Sequence, residues 1–249
     1  MCLARFLIRA LWCCAAGALP FGGAWAGGAT PIVAAALLPG ERIALDGSLS
    51  HPAWQRAPVH ADFVERVPEH GAKPQHATQV RVLFDQQALY VGVVALDHQP
   101  SQIRAPWVRH GGVNRTQDFV AVYVDAIGRR QSAQFFRVNA AGSTADGMHT
   151  AADDSEDFSP DFDFDAVAQR TPDGYSAVLR IPFASLRYDG EGAPAWRIMV
   201  VRRVPREQFY MHTSVLVPRD VASFIAALQP LPGVALPERP PFLSLRPSL

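Results

Sequence analysis

The side chains best equipped for chemistry are carboxylates. Between Asp146 and Asp165 stand eight of them, Asp146, Asp153, Asp154, Glu156, Asp157, Asp161, Asp163 and Asp165, with no Lys or Arg among them. Hard oxygen donors at this density suit calcium, which takes about six to eight oxygens. Asp161, Asp163 and Asp146 are the candidate metal ligands. Asp161, Asp163 and Asp165 alternate with Phe162 and Phe164, so on a strand the acids share one face and the rings the other. The EF-hand pattern is absent, because Ala166 stands where Gly is required and Pro172 where the closing Glu belongs. A solvated acidic loop is the other reading. A glycosidase needs two carboxylates facing each other across a cleft, and the sequence marks no such pair. Gly-x-Ser-x-Gly is missing. His60, His70, His76, His98, His110, His149 and His212 are scattered without zinc spacing. No catalytic residue is expected.

The elements that would hold these residues are strands. Period-two alternation and β-branched or aromatic enrichment mark Arg42–Leu45, Ala61–Glu65, Thr78–Phe84, Leu89–Leu96, Phe119–Asp125, Ala133–Asn139, Phe164–Arg170, Tyr175–Pro182 and Arg197–Val204. A single turn is expected at Ala184–Arg187, after Pro182 removes a backbone donor. Many short strands with Gly, Pro and Asp between them, and no helical spacers, predict an all-β fold: an antiparallel β-sandwich, jelly-roll-like. Its expected limits are residues 41–212. Residues 27–40 read as a flexible leader. Residues 213–249 read as an extended proline-rich tail, with six prolines between Pro230 and Pro247.

Composition narrows the function. The chain has 249 residues with 23 basic and 23 acidic side chains, so nothing neutralises a run of phosphates and nucleic acid is not an expected partner. Lys73 is the single lysine, which leaves the planar forked guanidinium of Arg to do the cationic work. Arg5 and Arg9 accompany an apolar run from Phe6 to Leu19, and Ala24-Trp25-Ala26 fits a small-x-small cleavage site. Residues 1–26 therefore read as a signal peptide, with export to the periplasm or the outer membrane and cell surface. The run is short of the roughly 20 residues a transmembrane helix needs. Barrel strands with lipid-facing alternation are not evident, so the chain is not expected to span a membrane. Cys2, Cys13 and Cys14 all fall within the signal, and stability must come from a packed core rather than from disulfides.

An ordered series of short motifs runs from Arg42 to Arg206. It comprises Ile43-x-Leu-Asp-Gly47, Asp97-x-x-Pro100, Asp118 with Asp125, and Phe136-Arg137-Val-Asn139 followed by Gly142 and Asp146. Asp165-Ala-Val167, Gly174-Tyr175 with Arg180-Ile-Pro-Phe183, and Trp196 with Arg202 and Arg206 complete it. This series resembles the family 9 carbohydrate-binding modules. It is also similar to the domain that opens a group of bacterial surface proteins in which a β-sandwich precedes an outer-membrane barrel.

The resemblance implies a non-catalytic binding module, a carbohydrate partner and, since family members bind it, calcium. It also implies two Trp side chains that clamp a terminal sugar beside an Arg. That Arg falls on Arg137. One Trp position is Arg115 here, with Trp107 upstream in the same loop; the second falls near Phe209 and Tyr210. Aromatic faces suit the apolar C–H groups of a pyranose while Arg serves its hydroxyl rim, so Trp107, Arg137 and Tyr210 are the ligand candidates, with Phe209 and Arg115 beside them. Trp54 and Trp196 sit in core patterning and should pack. A docking domain for a barrel or surface protein, binding no sugar, is the rival reading; a component of a carbohydrate-active hydrolase is a remote one. On the first reading, Arg137→Ala removes sugar binding and leaves the fold intact.

Overall fold

β-branched and aromatic side chains fill a pleated, half-buried surface well, and strands form where they recur. The computed structural model describes residues 30–188 and 195–236; the expected signal peptide with its cysteines, and the last residues of the tail, lie outside them. The described strands are β1 (Ala34–Ala36), β2 (Val64–Val67), β3 (Thr78–Phe84), β4 (Ala88–Leu96), β5 (Phe119–Asp125), β6 (Ser132–Asn139), β7 (Thr144–Thr150), β8 (Ser155–Asp157), β9 (Asp165–Thr171), β10 (Gly174–Pro182), β11 (Arg197–Pro205), β12 (Phe209–Thr213) and β13 (Gln229–Pro230). They build a β-sandwich. One sheet is ordered β1-β3-β4-β10-β9 and the other β2-β12-β11-β5-β6-β7-β8, with β13 beside β11. All pairings are antiparallel except β1 along β3.

Successive side chains of a strand point to opposite faces, and here both faces are covered. Val80, Val82, Leu89, Val91, Val93, Leu179 and Ile181 of the smaller sheet meet Val120, Val122, Phe136, Val138, Ile198 and Val200 of the larger between the layers. The outer face of the smaller sheet, with Leu83, Tyr90 and Val178, lies under Ile43, Ala53 and Trp54. The outer face of the larger, with Phe119, Ala121, Tyr123, Phe135, Met199 and Val201, lies under Val113, Val217, Phe224, Ile225 and Leu228. Double coverage explains why all seven residues of β5 are buried. Trp54 rides on a short helix, α1 (Pro52–Arg56), started by Pro52 and capped by the His51 ring, whose Nδ1 accepts from the Ala53 N–H at 3.2 Å. The ring has room because β4 offers Gly92 beneath it: a Cβ there would stand 2.9 Å from Trp54 and from Leu49. Trp54 and Trp196 are both core residues.

The structure departs from the expected limits at both ends. Residues 30–40 are no flexible leader: Ile32 and Ala34 are buried, and β1 joins the sheet edge. Small alanines carry little pattern, so pairing decides their conformation. The expected strand at Arg42–Leu45 does not form, although Ile43 is buried as covering chain. Residues 213–234 are not an extended tail; they turn back over the larger sheet and add β13. Strands β7, β8 and β12 were not evident in the sequence, because Gly, Asp, His and Ser interrupt their alternation.

A buried charge cluster joins the layers at one end. Arg202, on β11 and fully buried, reaches across the core so that Nη1 donates to Ala77 O at 3.0 Å and Leu96 O at 2.6 Å in the smaller sheet. Arg206 bridges Asp97 Oδ2 at 2.6 Å and Asp118 Oδ2 at 2.8 Å. Burial alone would raise the Asp97 carboxyl. Bonds from His76 and the Gln99 N–H, with Arg206 beside it, instead hold it well below the usual carboxylate range. Asp118 also accepts the Arg104 N–H at 2.6 Å.

His212, on β12, faces this cluster from a fully buried position. Burial first, then the charges of Arg202 and His76, push its imidazole down from 6.5 to about 3. The unfolded chain therefore takes up a proton near pH 6.5 that the folded chain refuses until about pH 3. Stability is full above pH 7 and falls as acid is added through that window. Urea titrations at pH 7 and pH 5 should differ by about 2 kcal/mol from this group alone. His212→Leu should flatten that difference, leaving the smaller loss from His60, which burial depresses in the same sense.

Candidate functional site

A concave site of about 560 Å³ opens on the outer face of the larger sheet. Strand register builds its floor. Arg203 lies opposite Phe119 on the neighbouring strand, Val201 opposite Ala121, and Ala121 opposite Arg137. The alternation that sends Val120, Val122 and Phe136 into the core sends these residues outward. Arg137 lies among rings, with its guanidinium carbon 5.0 Å from the Phe119 centroid, 4.8 Å from Phe135 and 5.2 Å from Phe158.

Arg137 is paired. Its Nη2 donates to Glu156 Oε1, and the Tyr123 hydroxyl donates to the same oxygen at 2.6 Å. Glu156 belongs to the acidic stretch and sits on a strand whose three residues are all exposed. It lies on β8, opposite His149 of β7, and leans over the site. Close approach is possible because β7 carries Gly147: a Cβ there would fall 2.2 Å from Asp157 O and 2.6 Å from Phe135 Cζ. Burial would raise the Glu156 carboxyl, but the Arg137 charge beside it wins and holds it low. Burial opposes the Arg137 charge, and Tyr123 and Glu156 restore it. Burial also pushes the Tyr123 phenol above its ordinary range.

The rim comes from four separate segments. Asp154, in the β7–β8 turn, accepts from Ser223 Oγ at 2.8 Å, the Phe224 N–H at 2.9 Å and His149 Nε2 at 3.0 Å. These bonds fasten the 214–228 segment at the site's edge. Arg66 of β2 stands over the Phe224 ring at 5.2 Å. Asn114 and Arg115 complete the wall from the loop before β5. That loop is held by Asn139, whose Nδ2 donates to Pro106 O and to Gln117 Oε1, each at 2.9 Å.

Of the residues expected to bind, Arg137 and Arg115 line this site; Trp107, Phe209 and Tyr210 do not. Trp107 is 80% exposed on the loop surface. Neighbours on a strand face opposite ways, so Phe209 and Tyr210 cannot form one clamp. Tyr210 turns inward toward His76 and His212, each with its centroid 6.2 Å away, and Phe209 projects at the hairpin end of β12. Tyr123, Glu156, Phe158, Arg66, Arg203 and Phe224 escaped the sequence reading. Arg203 carried a usable signal, since it shares the period of Met199 and Val201.

The acidic stretch brings Asp146 and Asp161 together with His110, their ligand atoms within 4.8 Å of one another. Asp163 is not in that group. Asp146 is buried and tied to its surroundings: Oδ2 accepts the Phe162 N–H at 2.6 Å, and Oδ1 lies 2.7 Å from His110 Nε2. Two carboxylates and an imidazole fall well short of an oxygen cage, so the residues present do not fit calcium. Asp146 acts here as a tether for the segment leading into β9.

Compared with solved structures, the fold is that of the family 9 carbohydrate-binding modules. Such a module from Caldicellulosiruptor kristjanssonii in complex with glucose aligns with a TM-score of 0.57 and 15% identity, over 86% of this chain and 99% of that one. One from the same organism in complex with cellotriose gives 0.55 and 14%, over 87% and 100%. A candidate carbohydrate-binding protein from Bacteroides uniformis gives 0.56 and 9%, over 78% and 92%. No family model and no curated protein matches the sequence.

The pairing of Arg137 revises the outcome expected for its removal. Arg137→Ala removes the charged partner of Glu156 and the guanidinium packed among Phe119, Phe135 and Phe158, and should cost about 1–2 kcal/mol, less than a fully buried pair because water reaches Glu156. Thermal or urea denaturation should show that loss, and the double variant Arg137→Met with Glu156→Gln should recover most of it.

Proposed function

We propose that this chain is an exported, non-catalytic carbohydrate-binding module that takes a sugar or glycan end in the concave site of the larger sheet. The observation that carries the reading is the combination of rings and guanidinium groups lining that site. Phe158, 43% exposed at its edge, offers apolar ring surface beside the Arg137 guanidinium, and Arg115 and Arg203 offer donors to hydroxyls. The fold shared with modules solved on glucose and cellotriose adds support. Export rests on the Arg5-to-Ala26 pattern. No helix among the described residues is long and apolar enough to cross a membrane.

The state of the acids supports binding over hydrolysis. A general acid must be protonated and free to donate. Glu156 is held ionised by Arg137, and against the effect of burial the bonds from Phe224, Ser223 and His149 to Oδ1 hold the Asp154 carboxyl below its ordinary value.

Calorimetry against glucose, cellotriose and a panel of other mono- and oligosaccharides tests the reading. At least one sugar should bind saturably, with calcium and with chelator alike. Phe158→Ala should weaken it about tenfold, since an aromatic contact contributes about 1 kcal/mol or more, without changing the circular dichroism spectrum. Failure of every sugar would overturn the reading in favour of a docking domain.

A further inference from the structure

The charges in the concave site do not balance. Arg66, Arg115, Arg137 and Arg203 line it, against Asp154 and Glu156. Glu156 is committed to Arg137. Asp154 accepts from the Ser223 hydroxyl, the Phe224 N–H and His149 through one oxygen, and it attracts Arg66 without forming an ion pair with it. Among the described residues, no carboxylate stands within ion-pair distance of Arg66, Arg115 or Arg203.

A guanidinium cannot shed its proton to escape such a setting. Arg203 is half-buried on β11. Burial weighs against its charge; Tyr123 and Glu156 favour it, Arg137 and Arg115 repel it, and the balance leaves the charge disfavoured. Burial weighs against Arg66 as well, with the charge of Asp154 offsetting part of that cost. A neutral sugar would hydrogen-bond these groups and leave their mutual repulsion in place. An anion would remove the repulsion, and a carboxylate or sulfate also matches the forked donors two at a time. Beside these cations, Phe158 exposes apolar ring surface at the edge of the site.

Building on the carbohydrate reading, we propose that the ligand is an acidic saccharide, a sugar bearing a carboxylate or sulfate beside its hydroxyls, with its anionic group seated against Arg115 and Arg203. Calorimetry of the whole chain with glucuronate, glucose 6-sulfate, glucose and inorganic sulfate tests it. At least one charged sugar should bind about tenfold or more tightly than glucose, the margin expected when a hydrogen bond becomes charge-assisted. Added salt should shrink that margin. Arg203→Gln and Arg115→Gln should each pull the ratio of charged to neutral affinity toward one. Arg115 is exposed, so its variant keeps the test valid even where Arg203→Gln melts early. Glucose binding as tightly as both charged sugars overturns the inference and leaves the carbohydrate reading standing. Inorganic sulfate matching glucose 6-sulfate also overturns it, since the site would then hold an anion and not a sugar. Binding of no sugar removes both.

Discussion

The Arg202–Asp97–Arg206–Asp118 cluster is the constraint on which the remaining structure rests. Four ionised groups with so little access to water carry a large desolvation cost, tolerable only when each finds partners. Here the partners lie on both sheets: Ala77 and Leu96 carbonyls on one side, β11 and the residue before β5 on the other. Hydrophobic contact between two sheets is non-directional and permits sliding. A directed bond across the core does not. The cluster thus fixes how the layers register, and through Asp118 it reaches the binding face. Asp118 accepts the Arg104 N–H and donates its own N–H to Arg104 O at 2.6 Å, which pinches the loop that carries Arg115.

The sequence disclosed this frame better than it disclosed the site. Alternation in Val80–Phe84, Leu89–Leu96 and Phe119–Asp125 survives because each strand faces a core, and the strands form nearly where the pattern places them. Asp97, Asp118, Arg202 and Arg206 stood out within the family-like series, but spacing alone could not show that they meet. β8 failed to show because Ser155-Glu156-Asp157 has no apolar residue. Its strand character comes from pairing with β7 and from the space that Gly147 leaves. The covering segment at 214–228 failed for a related reason. Irregular chain that packs by a few large side chains, such as Phe224 and Ile225, has no period to detect.

The candidates that fall outside the concave site do so for one reason. Arg115 and Arg137 were identified through ordered motifs and reach the concave face, because strand β6 and the loop before β5 are set by register. Trp107 and Tyr210 were chosen for ring chemistry, and chemistry does not fix direction. On β12 a step of one residue exchanges the binding face for the core, which separates Phe209 from Tyr210 and places Met211 where a ring was sought.

The two covers differ in how they are built. Over the smaller sheet, Trp54 and Leu49 press on Gly92, where a Cβ would stand 2.9 Å from each. Over the larger, the cover is assembled from the loop before β5, the β7–β8 turn and the 214–228 segment, three pieces meeting edge to edge. Asp154 locks two of them together, and the seam falls above Arg137. An apolar seam in this position would have closed by collapse. Guanidinium groups resist that collapse, because burying them against one another costs solvation and sets like charges together.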